Sequence, residues 1–130
     1  MFKKSLLVLL ALSFVFEIYQ TVSAFLSPLW VLAVLNIPDS AGAQTLNHIT
    51  AWFLLLVSAL IVLSFEWVRR EKPEGVILSL VLGAWWIGIG VGIFLKSGIT
   101  TNLFADSAKG LLIMVVSLVS LKQYARDRGI

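Results

Sequence analysis

The sequence predicts an all-α integral membrane protein, a four-helix up-down-up-down bundle with both termini in the cytoplasm. Three observations lead to this fold class. Of the 130 residues, 59% are hydrophobic and only 13% are charged, whereas about 25% of the residues of an ordinary soluble domain are charged. Four segments are long and apolar enough to cross a bilayer. Lysine and arginine residues concentrate at one set of the predicted helix ends.

The composition also excludes several classes of function. The chain has no cysteine, which removes disulfides, thiolate metal sites and thiol redox chemistry. The net charge is +3, but the charges lie at helix ends, so they indicate membrane topology and not nucleic-acid binding. No phosphate-binding glycine loop, Ser/His/Asp arrangement or zinc-protease motif is present. We therefore expect a single membrane domain, residues 1–130, that is not an enzyme and needs no cofactor.

The first predicted membrane helix covers about residues 5–27 and contains Glu17. Residues 1–4 resemble the basic start of a signal peptide, and residues 22–24 resemble its cleavage site. Apolar sequence resumes immediately at Phe25, so we expect that the segment is not cleaved and remains as a membrane helix.

Residues 28–36 are apolar but too short to cross the membrane a second time. The segment begins with Pro28, which restricts helix continuation. We expect either a bent continuation of the first helix or an interfacial helix, with Trp30 at the level of the lipid headgroups.

Three further membrane helices follow a turn-rich loop. Thr45 or Asn47 can cap the second helix. Pro73 suits the first turn of the third, and Asp106 can cap the fourth. The predicted bounds of these three helices are about residues 48–66, 75–96 and 106–122.

The distribution of basic residues predicts the orientation. Only Lys96 and Lys109 lie near the other ends of the helices. The positive-inside rule then places both termini in the cytoplasm and makes this a multi-pass protein of the inner membrane. The remaining eight of the 10 lysines and arginines share one side: Lys3, Lys4, Arg69, Arg70, Lys72, Lys122, Arg126 and Arg128.

Glu17 is the main candidate for a functional residue. A carboxylate in the middle of a membrane helix costs roughly 2.5 kcal/mol or more, so it should face protein or water and have a partner. Ser13, Gln20 and Thr21 share its helix face. This polar stripe predicts either the wall of a polar cavity or a set of hydrogen bonds between helices.

Lys109 is the predicted partner of Glu17. Glu17 lies 13 residues after Lys4, and Lys109 lies 13 residues before Lys122. Both offsets correspond to about 20 Å of helix rise, so the two groups can lie at the same depth. A cation in the first turn of a helix also opposes the helix dipole, which favours an anionic partner, Asp106 or Glu17. We expect all three side chains to form one cluster.

Two interpretations of this cluster remain open. In the first, Glu17 and Lys109 form a buried pair that fixes helix packing. In the second, Glu17 binds and releases a proton during coupled transport or recognises a ligand.

The third helix combines small and aromatic residues. Ala84, Gly88 and Gly92 recur at every fourth position, a ridge that allows close helix packing, either inside the bundle or in a homodimer. Trp85 and Trp86 lie near mid-membrane, away from the interfaces where tryptophan is usual. At least one should point inward, where its indole N–H needs an acceptor, and either can face a ligand.

His48 and Trp52 lie at the start of the second helix and are further candidates for a ligand-facing surface. With Asp39, Asn102 and Asp106, His48 can form a polar mouth on the outer side. No pair of potential ligands has metal-binding spacing on one helix, so we expect no metal site.

The chain resembles two groups of small membrane proteins. The segment SPLWVLAVLNIP and the overall layout are similar to the uncharacterised BphX-like and DoxX-like proteins, a resemblance that implies four helices but no mechanism. The acid in the first helix and the segment AWWIGIGVG are similar to the small multidrug resistance transporters. That resemblance implies a proton- or substrate-binding role for Glu17 and a substrate-facing role for Trp85 or Trp86. This chain is longer, however, and has the extra apolar segment 28–36.

We therefore expect a non-enzymatic membrane protein that binds a lipid or apolar small molecule, or partner subunits, within its bundle. The alternative is a proton-coupled exporter that acts as a homodimer around Glu17. The expected partners are membrane lipids and either a second copy or another membrane subunit, and not nucleic acid.

Overall fold

The computed structural model describes the backbone of residues 2–99 and 101–129, and their side chains except at positions 97 and 101–103. Throughout these residues the secondary structure is helical, with no strand, as the sequence predicted. The five helices are α1 (Phe2–Leu26), α2 (Pro28–Val34), α3 (Ala41–Arg69), α4 (Pro73–Ser97) and α5 (Thr101–Asp127).

Four of the helices, all except α2, are long and apolar enough to cross a membrane. The distribution of side chains agrees with a lipid environment. Leu12, Leu26 and Leu95 are 64%, 77% and 73% exposed, whereas Ser64 and Ser79 are fully buried. Large apolar side chains outside and polar side chains inside would be costly in water but are favourable in lipid. These features indicate a multi-pass membrane protein.

Helix α3 begins seven residues earlier than predicted. Its N-cap is Ser40, whose hydroxyl accepts a hydrogen bond from the backbone N–H of Ala43 at 3.0 Å. The prediction that Thr45 or Asn47 caps this helix was therefore wrong. Ser40 satisfies the first free N–H groups upstream, so the helix is already formed at both positions.

Helix α5 also begins earlier, at Thr101, so Asp106 lies inside the helix and does not cap it. By contrast, α4 has Pro73 in its first turn, as predicted, and begins two residues before the predicted bound. Proline is favoured in a first turn because the N–H that it lacks would have no acceptor there.

The apolar segment after α1 forms a separate short helix, α2, with Pro28 in its first turn. Asn36 ends it in the left-handed conformation, with φ 56°. The N–H groups of Asn36 and Ile37 donate to the carbonyls of Ala33 and Leu32, the two bonds of a Schellman motif. Helix α2 packs against both α1 and α3, which places it over the site described below.

The long helices pack in the pairs α1–α3, α3–α4, α4–α5 and α1–α5. Helices α4 and α5 approach each other closely at Gly83 and Gly110. A Cβ atom on Gly110 would lie 2.5 Å from the Gly83 carbonyl oxygen, so only glycine fits. The largest fully buried apolar side chains are Leu6, Leu10, Ile61, Trp86 and Ile113.

Polar contacts connect three helices at one end of the bundle. Lys3 of α1 pairs with Glu71, after α3, at 2.9 Å, and the Tyr124 hydroxyl of α5 donates to the Glu71 carbonyl at 3.3 Å. The hydrogen bond from Lys3 holds the pKa of Glu71 below its ordinary value. The resulting stabilisation is present above the ordinary pKa and is lost as the pH falls through the lowered one. Both side chains are exposed, so the contribution is small.

Candidate binding site

Glu17 lies at the centre of a buried polar cluster. Its side chain is only 1% exposed. Its Oε1 accepts two hydrogen bonds, from the Trp86 indole Nε1 at 2.6 Å and from the Lys109 ammonium at 2.9 Å. Helices α1, α4 and α5 thus meet at one carboxylate oxygen.

Lys109 bridges two carboxylates. Its Nζ lies 2.9 Å from Glu17 and 3.4 Å from Asp106, whose carboxylate is also buried. The ammonium also lies 4.5 Å from the centroid of the Phe16 ring and 4.2 Å from that of Trp86. Contacts of this kind with ring faces stabilise a desolvated cation. The Lys109 side chain, 13% exposed, is therefore held by two acids and two aromatic rings.

The three charged residues are in contact, as predicted, although Lys109 does not have the helix position that was predicted for it. Lys109 is not in the first turn of α5, because that helix begins eight residues before it, at Thr101. The unfavourable dipole effect therefore does not apply, since it is confined to the terminal turn. The matched depth of Glu17 and Lys109 on neighbouring helices is sufficient to account for the contact.

The polar stripe on α1 divides between two environments. Ser13 and Thr21 are buried. The Thr21 hydroxyl donates to the Glu17 backbone carbonyl at 2.7 Å, a bond within its own helix and not to the charged cluster. Gln20 is half-buried and faces a cavity that Glu17 also lines.

This cavity, which we call the aromatic cavity, has a volume of about 1200 Å³. All five helices contribute to its wall, through the second halves of α1 and α4, the first parts of α3 and α5, and α2. Its ionisable residues include Glu17 and Asp106, and most of the remaining wall is apolar. The aromatic side chains in the wall are Phe16, Tyr19, Trp30, Trp85 and Trp86.

Tyr19 and Trp30 form the outer edge of the aromatic cavity. The two rings meet edge to face, with centroids 6.2 Å apart and planes at 84°. Both side chains are about half exposed, so one side of each contacts the surroundings of the bundle. The sequence placed Trp30 at the headgroup level and did not predict that α2 forms part of a site. The apolar character of residues 28–36 was the available signal.

Asn47 connects α3 to the bend between α1 and α2. Its side-chain N–H donates to the Ala24 carbonyl at 2.9 Å, in a buried position. In a continuous helix that carbonyl would accept from the N–H of residue 28, but Pro28 has none. Asn47 therefore satisfies an acceptor that the proline leaves free, and it fixes the bend in the cavity wall. The sequence pattern indicated Asn47 only as a possible helix cap.

The other predicted ligand-facing residues lie elsewhere. His48 and Trp52 are exposed and pack edge to face against Phe25, each with centroids 5.5 Å apart. They do not line the aromatic cavity. Asp39 accepts a hydrogen bond from Gln44 at 2.8 Å.

The polar mouth around His48 and Asp39 stays a prediction. The side chain of Asn102, its other predicted member, lies outside the described residues. Within the part of the chain that the structure describes, no three histidine or acidic side chains form a group suited to a metal ion.

The ridge on α4 is not used for packing inside the bundle. Ala84, Gly88 and Gly92 are exposed, and a Cβ atom at either glycine would meet no atom within 4 Å. The interpretation as bundle packing was therefore wrong, because the close contact of α4 with α5 uses Gly83. A homodimer through the ridge stays a prediction. Gly92 also lines the aromatic cavity.

Comparison with protein-family models, curated proteins and solved structures finds no match. The chemistry of the site must therefore be derived from its own residues. An apolar, aromatic wall surrounds a buried acid, an arrangement that can hold an apolar molecule and recognise one polar group on it.

Proposed function

We propose that this chain is a non-enzymatic membrane protein that binds a lipid or another apolar small molecule in the aromatic cavity. The observation that carries the proposal is the cavity itself, about 1200 Å³ in volume, with a wall of tryptophan, tyrosine and phenylalanine side chains. Ligand pockets typically have this apolar, aromatic character with few polar groups. A bundle that served only to pack against other subunits would have no need of such a space.

The same proposal includes the orientation. The four long helices cross the inner membrane in an up-down-up-down arrangement with both termini in the cytoplasm. Two contacts support the antiparallel pairing of α1 with α3 in this arrangement: Lys3 meets Glu71 at one end, and Ala24 meets Asn47 toward the other. The aromatic cavity then faces the outer half of the membrane, away from the cytoplasmic Lys and Arg residues.

Two glycines on one face of α4 allow a controlled test. Gly92 lines the aromatic cavity and Gly88, one turn away, does not, yet both have free space around them. In Gly92→Phe the new ring should enter the cavity, whereas in Gly88→Phe it should face lipid. We expect native mass spectrometry of the purified protein to detect a co-purifying lipid or small molecule in the wild type and Gly88→Phe. Gly92→Phe should lose most of it.

The pair also separates this proposal from the homodimer. If the ridge is a dimer seam, both substitutions should change the oligomeric state, because both glycines lie on it. Equal retention of the bound molecule in wild type, Gly88→Phe and Gly92→Phe would contradict binding in the aromatic cavity.

A proton-coupled exporter that acts as a homodimer is the second candidate, and the buried acid in the cavity wall favours it. In transporters, ionisable residues within membrane segments often relay protons. Reconstituted protein should then couple efflux of an apolar compound to a proton gradient, and Glu17→Gln should abolish the coupling. Efflux at a rate independent of the proton gradient would exclude this candidate. Binding alone does not require Glu17 to exchange a proton.

A further inference from the structure

The hydrogen bonds of Glu17 are unevenly distributed over its two carboxylate oxygens. Oε1 accepts from both Trp86 and Lys109. Oε2 is buried and has no hydrogen-bond partner among the described residues. A carboxylate has about four acceptor positions, and leaving a buried acceptor unsatisfied is costly. Glu17 lines the aromatic cavity, and a molecule bound there supplies the missing donor when a small shift of the side chain uncovers the buried Oε2.

The charges around Glu17 favour a neutral donor. The Lys109 ammonium already pairs with Glu17 at 2.9 Å and touches Asp106 at 3.4 Å. A second ammonium would have to leave water and then compete with Lys109 for the same acids. The desolvation of a charged group within a membrane span costs far more than that of a hydroxyl. The described residues that line the cavity include no lysine, arginine or histidine, so its wall offers no site for an anionic head.

We propose that the ligand of the aromatic cavity is an apolar alcohol, whose single hydroxyl donates a hydrogen bond to Oε2 of Glu17. This inference rests on the proposed function and adds the chemical class of the ligand. The hydrocarbon body lies against Trp30, Trp85 and the adjacent apolar wall. Gln20, which lines the cavity one turn along α1 from Glu17, is placed to accept or donate a second bond. Glu17 thus acts as the specificity determinant, and Lys109 and Trp86 hold it in position.

Three probes with one hydrocarbon body test this inference: farnesol, farnesyl methyl ether and farnesylamine. The ether keeps the oxygen but lacks the donor, and the amine replaces the hydroxyl with a cation at neutral pH. Dissociation constants can be measured with the purified full-length protein in detergent by quenching of its tryptophan fluorescence. We expect farnesol to bind about tenfold to a hundredfold more tightly than the ether, since hydrogen bonds to charged groups are worth about this ratio. The amine should bind no more tightly than the alcohol.

Variants test cavity binding and recognition of the hydroxyl group separately. Gly92→Phe should weaken binding of both the alcohol and the ether, because it fills the cavity, whereas Gly88→Phe should weaken neither. The double substitution Glu17→Gln with Lys109→Met should reduce the preference for the alcohol over the ether toward one, because an amide oxygen is a weaker acceptor than a carboxylate. If that double variant fails to fold, the ratio in the wild type still provides the test.

The outcomes are distinguishable. Equal affinities of the wild type for alcohol and ether, both weakened by Gly92→Phe, would overturn the alcohol inference and support cavity binding. An amine that binds more tightly than the alcohol would also overturn it, in favour of a cationic ligand. If Gly92→Phe leaves the affinities for the probes unchanged, the proposed function and this inference are both overturned. The same holds if the wild type binds none of the probes.

Discussion

The Glu17 carboxylate and the Lys109 ammonium form a buried ion pair between α1 and α5. Desolvating both groups costs several kcal/mol, and their attraction offsets this cost only when further bonds support the pair. Trp86 supplies such a bond to Glu17, and Asp106 and two aromatic rings stabilise Lys109. We infer that the cluster stabilises the bundle and also shapes the site, so that a structural role and a binding role do not exclude each other.

The first prediction concerns the ion pair. Lys109→Met should lower the free energy of unfolding by about 3 kcal/mol, because it leaves a buried carboxylate without its counter-charge. Adding Glu17→Gln to that variant should restore part of the loss. Thermal unfolding in detergent, followed by circular dichroism, measures both. Strictly additive effects of the two substitutions would contradict an energetic coupling between Glu17 and Lys109.

The second prediction concerns the indole of Trp86. Trp86→Phe keeps an aromatic ring but removes the Nε1 donor that lies 2.6 Å from Glu17. We expect a loss of about 2 kcal/mol in unfolding free energy, typical of a hydrogen bond to a charged group. Trp85→Phe is the matched control, since it leaves the bonds to Glu17 intact and should cost less in the same unfolding measurement. Equal losses would show that ring volume, not the hydrogen bond, is what matters.

The sequence was sufficient to predict the main contact of the site but not its detail. Depth along two helices can be counted from Lys4 and Lys122, and this count brings Glu17 to Lys109. Which oxygen of Glu17 is satisfied depends on rotamers and packing that no periodicity describes. Thr21 illustrates the same limit: its position on the helix face is periodic, but its hydroxyl can bond its own backbone instead of the cluster.

At the scale of elements, α4 presents two different glycine surfaces. Gly83 meets Gly110 of α5 across a contact with no room for a Cβ atom, whereas Gly88 and Gly92 meet no described side chain or neighbouring helix. The sequence ridge of Ala84, Gly88 and Gly92 has the regular spacing that favours packing, yet the bundle uses Gly83, which lies outside it. The spacing of residues along α4 carries no information about the surface of the neighbouring helix. On α5, Gly110 is the small residue that allows Gly83 to approach closely.

The third prediction follows from this difference. Gly110→Ala should destabilise the protein by about 1–3 kcal/mol, because the added methyl group forces α4 and α5 apart. Gly88→Ala should be neutral or stabilise by up to about 1 kcal/mol, since it adds helix propensity without a clash. Unfolding transitions of the two purified variants provide the comparison. Similar destabilisation by both would contradict the assignment of the close contact.

Helix boundaries were the least predictable elements. The apolar stretches of α3 and α5 begin after the helices themselves, because the first turns contain glycine, glutamine, asparagine and threonine. Local capping decides where a helix starts, and Ser40 caps α3 before its apolar stretch begins. For α1 and α4, apolar sequence extends close to the ends of the helices, and there the predicted bounds are nearer to those observed.

At the scale of the whole molecule, the orientation can be tested directly because the chain has no cysteine. Single substitutions Asp39→Cys and Lys72→Cys place one thiol in the α2–α3 loop and one in the α3–α4 turn. A membrane-impermeant maleimide should label the first variant in intact cells and the second only after the membrane is opened. The opposite labelling pattern would contradict the proposed topology. Labelling of both variants in permeabilised cells is the control for the reactivity of the thiols.

The bend at Pro28 has a consequence for how this protein can vary. Pro28 lacks the backbone N–H that would bond the Ala24 carbonyl, and the Asn47 side chain donates to that carbonyl instead. We therefore expect the two positions to vary together, although 19 residues separate them. Asn47→Leu alone should lower the stability of the protein, because it leaves the buried Ala24 carbonyl without a hydrogen-bond donor. In a Pro28→Ala background, where the chain regains its own N–H, the same replacement should be tolerated. A proline at this bend without an amide at position 47 is thus a combination that we expect natural variants to avoid.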